Sequence, residues 1–139
     1  MPADVFVDTS VLVYAHDADA GEKHRMAKRL VAELWQSKPL PWISVQVLQE
    51  MLVTLQRKHV PLAEACKAVE DYTHWRLVEN DVGLFRAGMT EMERWKISFW
   101  DALILSAARQ AGALTVLSED LNDEQDYGGI RIVNPFRTG

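Results

Sequence analysis

Four acidic residues of this chain stand where predicted strands end or predicted helices begin: Asp8, Glu50, Asp101 and Asp120. Asp8 ends the apolar run Val5–Val7, and Asp120 follows a similar run later in the sequence. In open α/β sheets, ligands bind at the carboxyl ends of the strands. Carboxylates gathered there raise one another's pKa unless a cation intervenes, and their hard oxygen atoms suit Mg²⁺ or Mn²⁺. The four residues therefore predict a divalent-metal site.

Alternating strand and helix patterns predict the sheet that brings these acids together. Strands are expected at about 4–7, 42–43, 75–78, 114–117 and 130–133. Helices are expected from Val11, over about 21–36, from a cap at Ser44 to about 57, and from Pro61 to about 74. Two more are expected, one from a cap at Asn80 or Asp81 and one from a cap at Ser98 to Gly112. The first of these two is expected to face inward with Leu84, Phe85, Met89 and Met92. This alternation predicts an α/β fold in three layers, α/β/α, with a central, mostly parallel five-stranded sheet. Right-handed crossovers then place the carboxyl ends of the strands along one edge.

The composition predicts one globular domain over residues 1–139. No apolar run approaches the ~20 residues that span a bilayer, and Asp4 and Asp8 interrupt any signal-peptide core, so we expect a cytoplasmic protein without membrane contact. The lone cysteine, Cys66, excludes an internal disulfide and is expected to be buried beside Leu62 and Val69. The net charge of −5 argues against tight non-specific binding of nucleic acid, but it does not exclude a nuclease whose acids hold metal ions.

Each of the four acids also has a purely structural explanation. Asp101 fits a Ser-x-x-acid capping pattern that begins at Ser98, and Asp8 can cap the helix that follows it. Glu50 points away from an expected apolar stripe, which contains Val45, Leu48, Leu52 and Leu55. Asp120 can be a turn residue, and its acidic neighbours up to position 126 compete for any role assigned to it. The functional explanation depends on all four meeting at one edge of the sheet.

Four sequence segments carry a resemblance to a known family: Val7–Tyr14, Ser44–Glu50, Phe99–Ile104 and Leu117–Leu121. In their order and spacing they resemble the PIN domain family, specifically the VapC-type toxin ribonucleases of VapBC toxin–antitoxin systems. The tail segment Ile132–Phe136 is also similar to the closing strand of that family. The resemblance covers essentially the whole chain and implies a single PIN domain.

The resemblance implies a catalytic site and a reaction. Asp8, Glu50, Asp101 and Asp120 are implied as the acidic quartet that binds one or two Mg²⁺ or Mn²⁺ ions, and Ser10 and Ser118 as supporting hydroxyls. The implied reaction is hydrolysis of an RNA phosphodiester by a metal-activated water, which needs no histidine base. The four histidines are therefore expected to take no part.

The resemblance also implies partners, namely RNA as substrate, a second copy of the chain in a homodimer, and a small antitoxin that obstructs the acidic cleft. Two alternatives stay open on the sequence. The chain can be a PIN nuclease of RNA processing that works without an antitoxin, or a catalytically inactive PIN scaffold. A haloacid-dehalogenase-type phosphotransferase is disfavoured, because its motif needs an acid where Ser10 stands.

Overall fold

The computed structural model describes residues 4–123 and 125–137. The strands are β1 (Val5–Val7), β2 (Trp42–Ser44), β3 (Arg76–Val78), β4 (Thr115–Leu117), β5 (Asp126–Tyr127) and β6 (Ile130–Val133). The α-helices are α1 (Thr9–Ala15), α2 (Glu22–Trp35), α3 (Val45–Arg57), α4 (Leu62–Tyr72), α5 (Val82–Trp95) and α6 (Phe99–Ala111). A short 3₁₀ helix, Ala18–Ala20, lies between α1 and α2. Within the described residues, no helix combines the length and the apolar character needed to cross a membrane.

The strands form one sheet in the order β3-β2-β1-β4-β6-β5. β1 pairs in parallel with β2 and β4, and the outer pairs β2–β3 and β4–β6 are parallel too. β5 joins β6 in an antiparallel hairpin at the edge. The expected α/β fold, with a mostly parallel sheet flanked by helices, is confirmed, but the sheet has six strands and not five. The two residues of β5 are too few to give a periodic pattern in the sequence.

Side-chain caps fix where the helices begin. The hydroxyl oxygen of Ser44 accepts a hydrogen bond from the backbone N–H of Val47, and Ser98 does the same for Asp101. Asp81, not Asn80, caps α5. Such caps satisfy backbone donors that have no partner inside the helix, which is why serine and aspartate mark these positions in the sequence.

Two predictions of burial are wrong, and a third holds only in part. Phe85 and Met89 of α5 are 48% and 41% exposed, whereas Leu84 and Gly88 face inward. Cys66 is exposed, although its neighbour Ala65 is buried. In α3 the buried apolar face contains Val47, Met51 and Leu55, and the residues Val45, Leu48 and Leu52 are only partly buried. One residue turns a helix by 100°, so a stripe assigned one position off still resembles a helical pattern.

Gly88 sets the distance between α5 and α6. A Cβ atom at this position would lie 2.8 Å from Cδ2 of Leu103 and 3.2 Å from the ring of Phe99, both on α6. These distances are too short for van der Waals contact. The absence of a side chain at Gly88 therefore lets α5 and α6 pack closely, with Phe99 at the start of α6 against this glycine.

Candidate active site

A cleft of about 590 Å³ lies beside the carboxyl ends of β1 and β4. All four predicted acids line it: Asp8, Glu50, Asp101 and Asp120. The other lining residues are Thr9, Ser10, Val13, Tyr14, Gln46, Gln49, Val53, Thr54, Arg57, Lys58, Asn80, Trp100, Ile104 and Glu119. Residues far apart in the sequence thus share one concave surface, as a metal or substrate site requires.

Asp8 is the most buried of the four acids, with 4% of its surface exposed. It follows β1 and is the N-cap of α1, so the capping and the functional interpretations apply together. Its Oδ1 accepts a hydrogen bond from the backbone N–H of Thr9 at 2.7 Å, and its Oδ2 accepts one from Ser118 Oγ at 2.8 Å. The pKa of Asp8 is raised to about 7, chiefly by burial; the hydrogen bonds with Ser118 and Thr9 act to lower it, and the nearby acids Asp120 and Glu50 act to raise it.

Ser118 connects the acids on β1 and β4. Its hydroxyl donates to Asp8 and accepts hydrogen bonds from the backbone N–H groups of Asp120 and Leu121, at 3.1 and 3.3 Å. The side chain is fully buried. Ser10 is different, because its buried hydroxyl oxygen has no hydrogen-bond partner among the described residues.

Glu50 reaches the cleft from α3. Its Oε1 accepts a hydrogen bond of 2.8 Å from Thr9 Oγ1, so the residue after Asp8 holds the side chain of Glu50. The observed buried face of α3 differs from the expected one, and this places Gln46 and Glu50 on the side of the helix that lines the cleft. Thr9 was missed in the sequence analysis, although its position beside Asp8 was the available signal.

Asp101 lies in the first turn of α6, where Ser98 caps the helix, and its side chain is half-buried at the cleft. Asp120 lies just beyond β4. Burial raises the pKa of Asp120, and Asp101, Glu119 and Glu50 raise it further. The carboxylates of Asp101 and Asp120 are therefore close enough to repel each other.

Other acids near Asp120 are occupied by other partners. Glu119 forms an ion pair with Lys23 and accepts a hydrogen bond from the hydroxyl of Tyr14 at 2.8 Å. Burial acts to raise the pKa of Glu119, but these two partners hold it below its ordinary value. Asp123 contacts Arg137 at 2.6 Å, and Asp126 accepts a hydrogen bond from the backbone of Gly129. Position 124 lies outside the described residues.

The four acids fit a hard divalent cation. None of them forms an ion pair with a cationic side chain in the described part of the chain. Within residues 4–123 and 125–137, however, no three His, Cys, Asp or Glu side chains are already arranged to hold a metal ion. Mg²⁺ usually takes one or two carboxylates and keeps several waters, to which substrate phosphate is added. The oxygen donors at the cleft match that pattern without forming a closed cage.

Solved structures of similar fold come from bacterial toxin–antitoxin systems. VapC20 of Mycobacterium tuberculosis, described as a sarcin–ricin-loop-cleaving toxin, is 24% identical, with a TM-score of 0.68 over 84% of this chain and 89% of that one. A toxin–antitoxin complex from Klebsiella pneumoniae is 20% identical, with a TM-score of 0.68 over 96% and 99%. DNA-bound VapBC from Salmonella typhimurium is 17% identical, with a TM-score of 0.63 over 94% and 97%. At these identities the likeness concerns the fold.

The family to which the chain belongs is shown by its amino-acid sequence. No curated protein matches the chain significantly. The family profile of the PIN domain matches residues 5–124, which include all four acids of the cleft. This chain belongs to the PIN domain family.

Proposed function

We propose that this protein is an Mg²⁺- or Mn²⁺-dependent endoribonuclease that acts as the toxin of a toxin–antitoxin pair. One observation carries the proposal: four carboxylates line a single cleft of a PIN domain, and none is paired with a cation among the described residues. Such a cleft repels phosphate unless a divalent cation is bound there. A metal-dependent reaction at phosphorus is the chemistry that this charge distribution favours.

The proposed ligands are Asp8, Glu50, Asp101 and Asp120. A bound divalent cation would lower the pKa of a water molecule and offset the negative charge that develops on the phosphate. Two hydrogen bonds fix the orientation of the Asp8 carboxylate, and Thr9 fixes that of Glu50. A nearby cation also favours the ionised form of Asp8, whose pKa is near 7 without one. In the described residues, no histidine lines the cleft, which agrees with a mechanism that needs no histidine base.

The proposal includes an antitoxin, a homodimer and a cytoplasmic location. The antitoxin is supported by the fold that this chain shares with a toxin–antitoxin complex along 96% of its length. An antitoxin arginine that enters the cleft would meet carboxylates without a described cationic partner, and such charge-assisted pairing is strong. Light scattering on the purified chain, alone and with a co-expressed candidate antitoxin, measures both assemblies.

The enzymatic part is tested by incubating purified protein with a panel of structured RNAs in Mg²⁺, Mn²⁺ or EDTA. We expect metal-dependent cleavage that falls by at least about 100-fold in Asp8→Asn and in Asp101→Asn. Asp71→Asn is the matched control, because Asp71 is exposed on α4 and does not line the cleft. Cleavage that is undiminished in EDTA, or equal in all variants, contradicts the proposal.

A second matched pair tests which acid after β4 takes part. Asp120→Asn should remove most of the activity, whereas Glu119→Gln should keep most of it, because Glu119 is already paired with Lys23. The opposite order would assign the role to Glu119.

Expression in bacteria separates the toxin from the two alternatives. A toxin should arrest growth, and Asp8→Asn or Asp101→Asn should relieve the arrest. RNA cleavage without growth arrest would favour an antitoxin-independent processing nuclease, and absence of cleavage would favour an inactive scaffold.

A further inference from the structure

Trp100 is a large aromatic side chain that the fold leaves exposed at the cleft. It is the second residue of α6, next to Asp101, and 62% of its surface is exposed. This residue lines the same cleft as the four acids. Gln46 of α3 donates a hydrogen bond of 3.3 Å to the backbone carbonyl of Trp100, which ties this residue to the opposite wall.

The other four tryptophans have structural roles in the described part of the molecule. Trp75 is buried, and Trp35 packs against it with 5.4 Å between ring centroids. The Arg76 guanidinium lies 4.7 Å from the ring centroid of Trp42. Trp95 donates a hydrogen bond to Glu91 and packs on Tyr127. Among the described residues, Trp100 contacts one aromatic neighbour, Phe99, edge to face at 5.6 Å, and its 62% exposure leaves a large part of the residue available to a ligand.

The two ends of the cleft differ in chemistry. The cleft-lining side of α3 extends from Gln46, beside Trp100, to Arg57, which corresponds to about 16 Å of helix axis. Glu50 lies between these residues. Lys58 is paired with Asp17 at 3.0 Å, but Arg57 is exposed and forms no ion pair with a described carboxylate. An aromatic residue thus lies at one end of this wall and a cation at the other, with Glu50 between them.

We infer that Trp100 is a nucleobase-stacking platform, with one base of the RNA substrate on its indole and a phosphate of the same strand near Arg57. This deepens the proposed function, on which it rests. Stacking needs an exposed aromatic face, and only an unpaired base can offer its own face in return. Because stacking is insensitive to base identity, it positions the strand across the acids without requiring a particular sequence.

A protein partner is the rival occupant of this surface. Phe85 packs on Phe99 at 5.5 Å, so an exposed aromatic patch extends from Trp100 onto α5. Neither Phe85 nor Met89 lines the cleft, however, whereas Trp100 shares it with Asp101 and Asp120. This shared location puts Trp100 where the RNA substrate would bind, and an antitoxin that obstructs the cleft would compete for the same ring.

The test is the binding of a fluorescein-labelled oligoadenylate of about 12 nucleotides, measured by anisotropy in Ca²⁺. Compared with the wild-type chain, Trp100→Ala should bind at least about tenfold more weakly, and Trp100→Phe should recover most of the loss. Leu114→Ala is the control, because Leu114 is 67% exposed and outside the cleft. The wild-type tryptophan fluorescence should be quenched by the RNA, and the quenching should be absent in Trp100→Ala.

An abasic series isolates stacking from other effects. Removing one base at a time should weaken wild-type binding at one position and leave Trp100→Ala unaffected at that position. Arg57→Gln should weaken binding of intact and abasic strands equally, because a phosphate contact does not read the base. A duplex of the same sequence should show no dependence on Trp100.

The inference is overturned if Trp100→Ala binds the single strand as tightly as the wild-type chain, or if the wild-type chain does not bind it. Loss of self-association in Trp100→Ala with unchanged RNA binding also overturns it and assigns the ring to a protein contact. Binding that depends on Trp100 in a chain that cuts no RNA refutes the proposed ribonuclease and leaves the stacking platform intact.

Discussion

Replacing Asp8 with asparagine should stabilise the metal-free protein while abolishing cleavage. The folded-state pKa of Asp8 is about 7, against an ordinary value of 3.8. Between these values the folded protein binds a proton that the unfolded chain has released, so the free energy of unfolding falls as the pH rises. The total loss is about 4 kcal/mol, of which about 3 kcal/mol falls between pH 5 and pH 8.

Asparagine has the shape of aspartate but no charge, so the variant should lack this loss. At pH 8 in EDTA we expect Asp8→Asn to be more stable than the wild-type chain by about 2 kcal/mol, because one imperfect hydrogen bond to Ser118 costs part of the gain. At pH 5 the difference should be smaller or reversed. Urea denaturation at several pH values measures this difference in the free energy of unfolding. Other titratable groups contribute equally to both chains, so their effect cancels in the difference.

Mg²⁺ should reverse the order of stability. A cation at the cleft favours the ionised carboxylate, so it should stabilise the wild-type chain more than Asp8→Asn at pH 8. If the free energy of unfolding depends on pH in the same way in the wild-type chain and in Asp8→Asn, the argument that burial raises the pKa of Asp8 is refuted. Equal stabilisation of both chains by Mg²⁺ would refute the role of Asp8 as a ligand.

Five further substitutions test the side-chain support of the site and of the fold. Ser118→Ala removes a hydrogen-bond donor to Asp8 and the acceptor of two backbone N–H groups, so it should lower the free energy of unfolding by about 2 kcal/mol. Ser10→Ala should be nearly neutral, because the hydroxyl of Ser10 has no hydrogen-bond partner among the described residues. Urea denaturation measures both. Arg109→Met removes the ion pair, 2.7 Å long, of the buried Glu91, so it should lower the free energy of unfolding by about 3 kcal/mol. In a double-mutant cycle, Glu91→Gln should restore part of this loss. Gly88→Val should cost about 2 kcal/mol by thermal denaturation, because its side chain meets α6, and an unchanged melting temperature would contradict the close packing described.

Local signals in the sequence were sufficient for most of the fold. Ser44, Ser98 and Gly112 mark helix ends because their side chains, or the lack of one, satisfy local backbone requirements. The buried parallel strands are short apolar runs between such signals. The antiparallel strand β5 was not predicted, since its two residues are stabilised by pairing with β6 and not by a pattern of their own.

Predictions that depend on which side of a helix is buried succeeded less often. Cys66, Phe85 and Met89 were expected inside, but they lie on the surface. A helix with apolar residues on more than one side can be rotated by one position without changing its pattern, and only packing against neighbours decides the outcome. The same ambiguity explains why Glu50 looked like a surface residue, although it lines the cleft and accepts a hydrogen bond from Thr9.

The candidate site could be located from the sequence but its contacts could not. The right-handed connection rule brings Asp8 and Asp120 to one edge, which the cleft confirms as a shared location. The link from Ser118 to Asp8 and the pairing of Glu119 with Lys23 join residues about 100 positions apart, and no local pattern carries such information. The metal-ligand roles of the four acids remain predictions.

Gly88 has a consequence for how this cleft can change. The residue touches neither the acids nor Trp100, yet the start of α6, which carries Trp100 and Asp101, rests against it through Phe99. A side chain added there would meet the side chains of Leu103 and Phe99, and a shift of α6 that relieves this clash would displace the ring of Trp100 and the carboxylate of Asp101 together. At this helix contact, a change in the position of the Trp100 ring is therefore coupled to a change in the position of the Asp101 carboxylate.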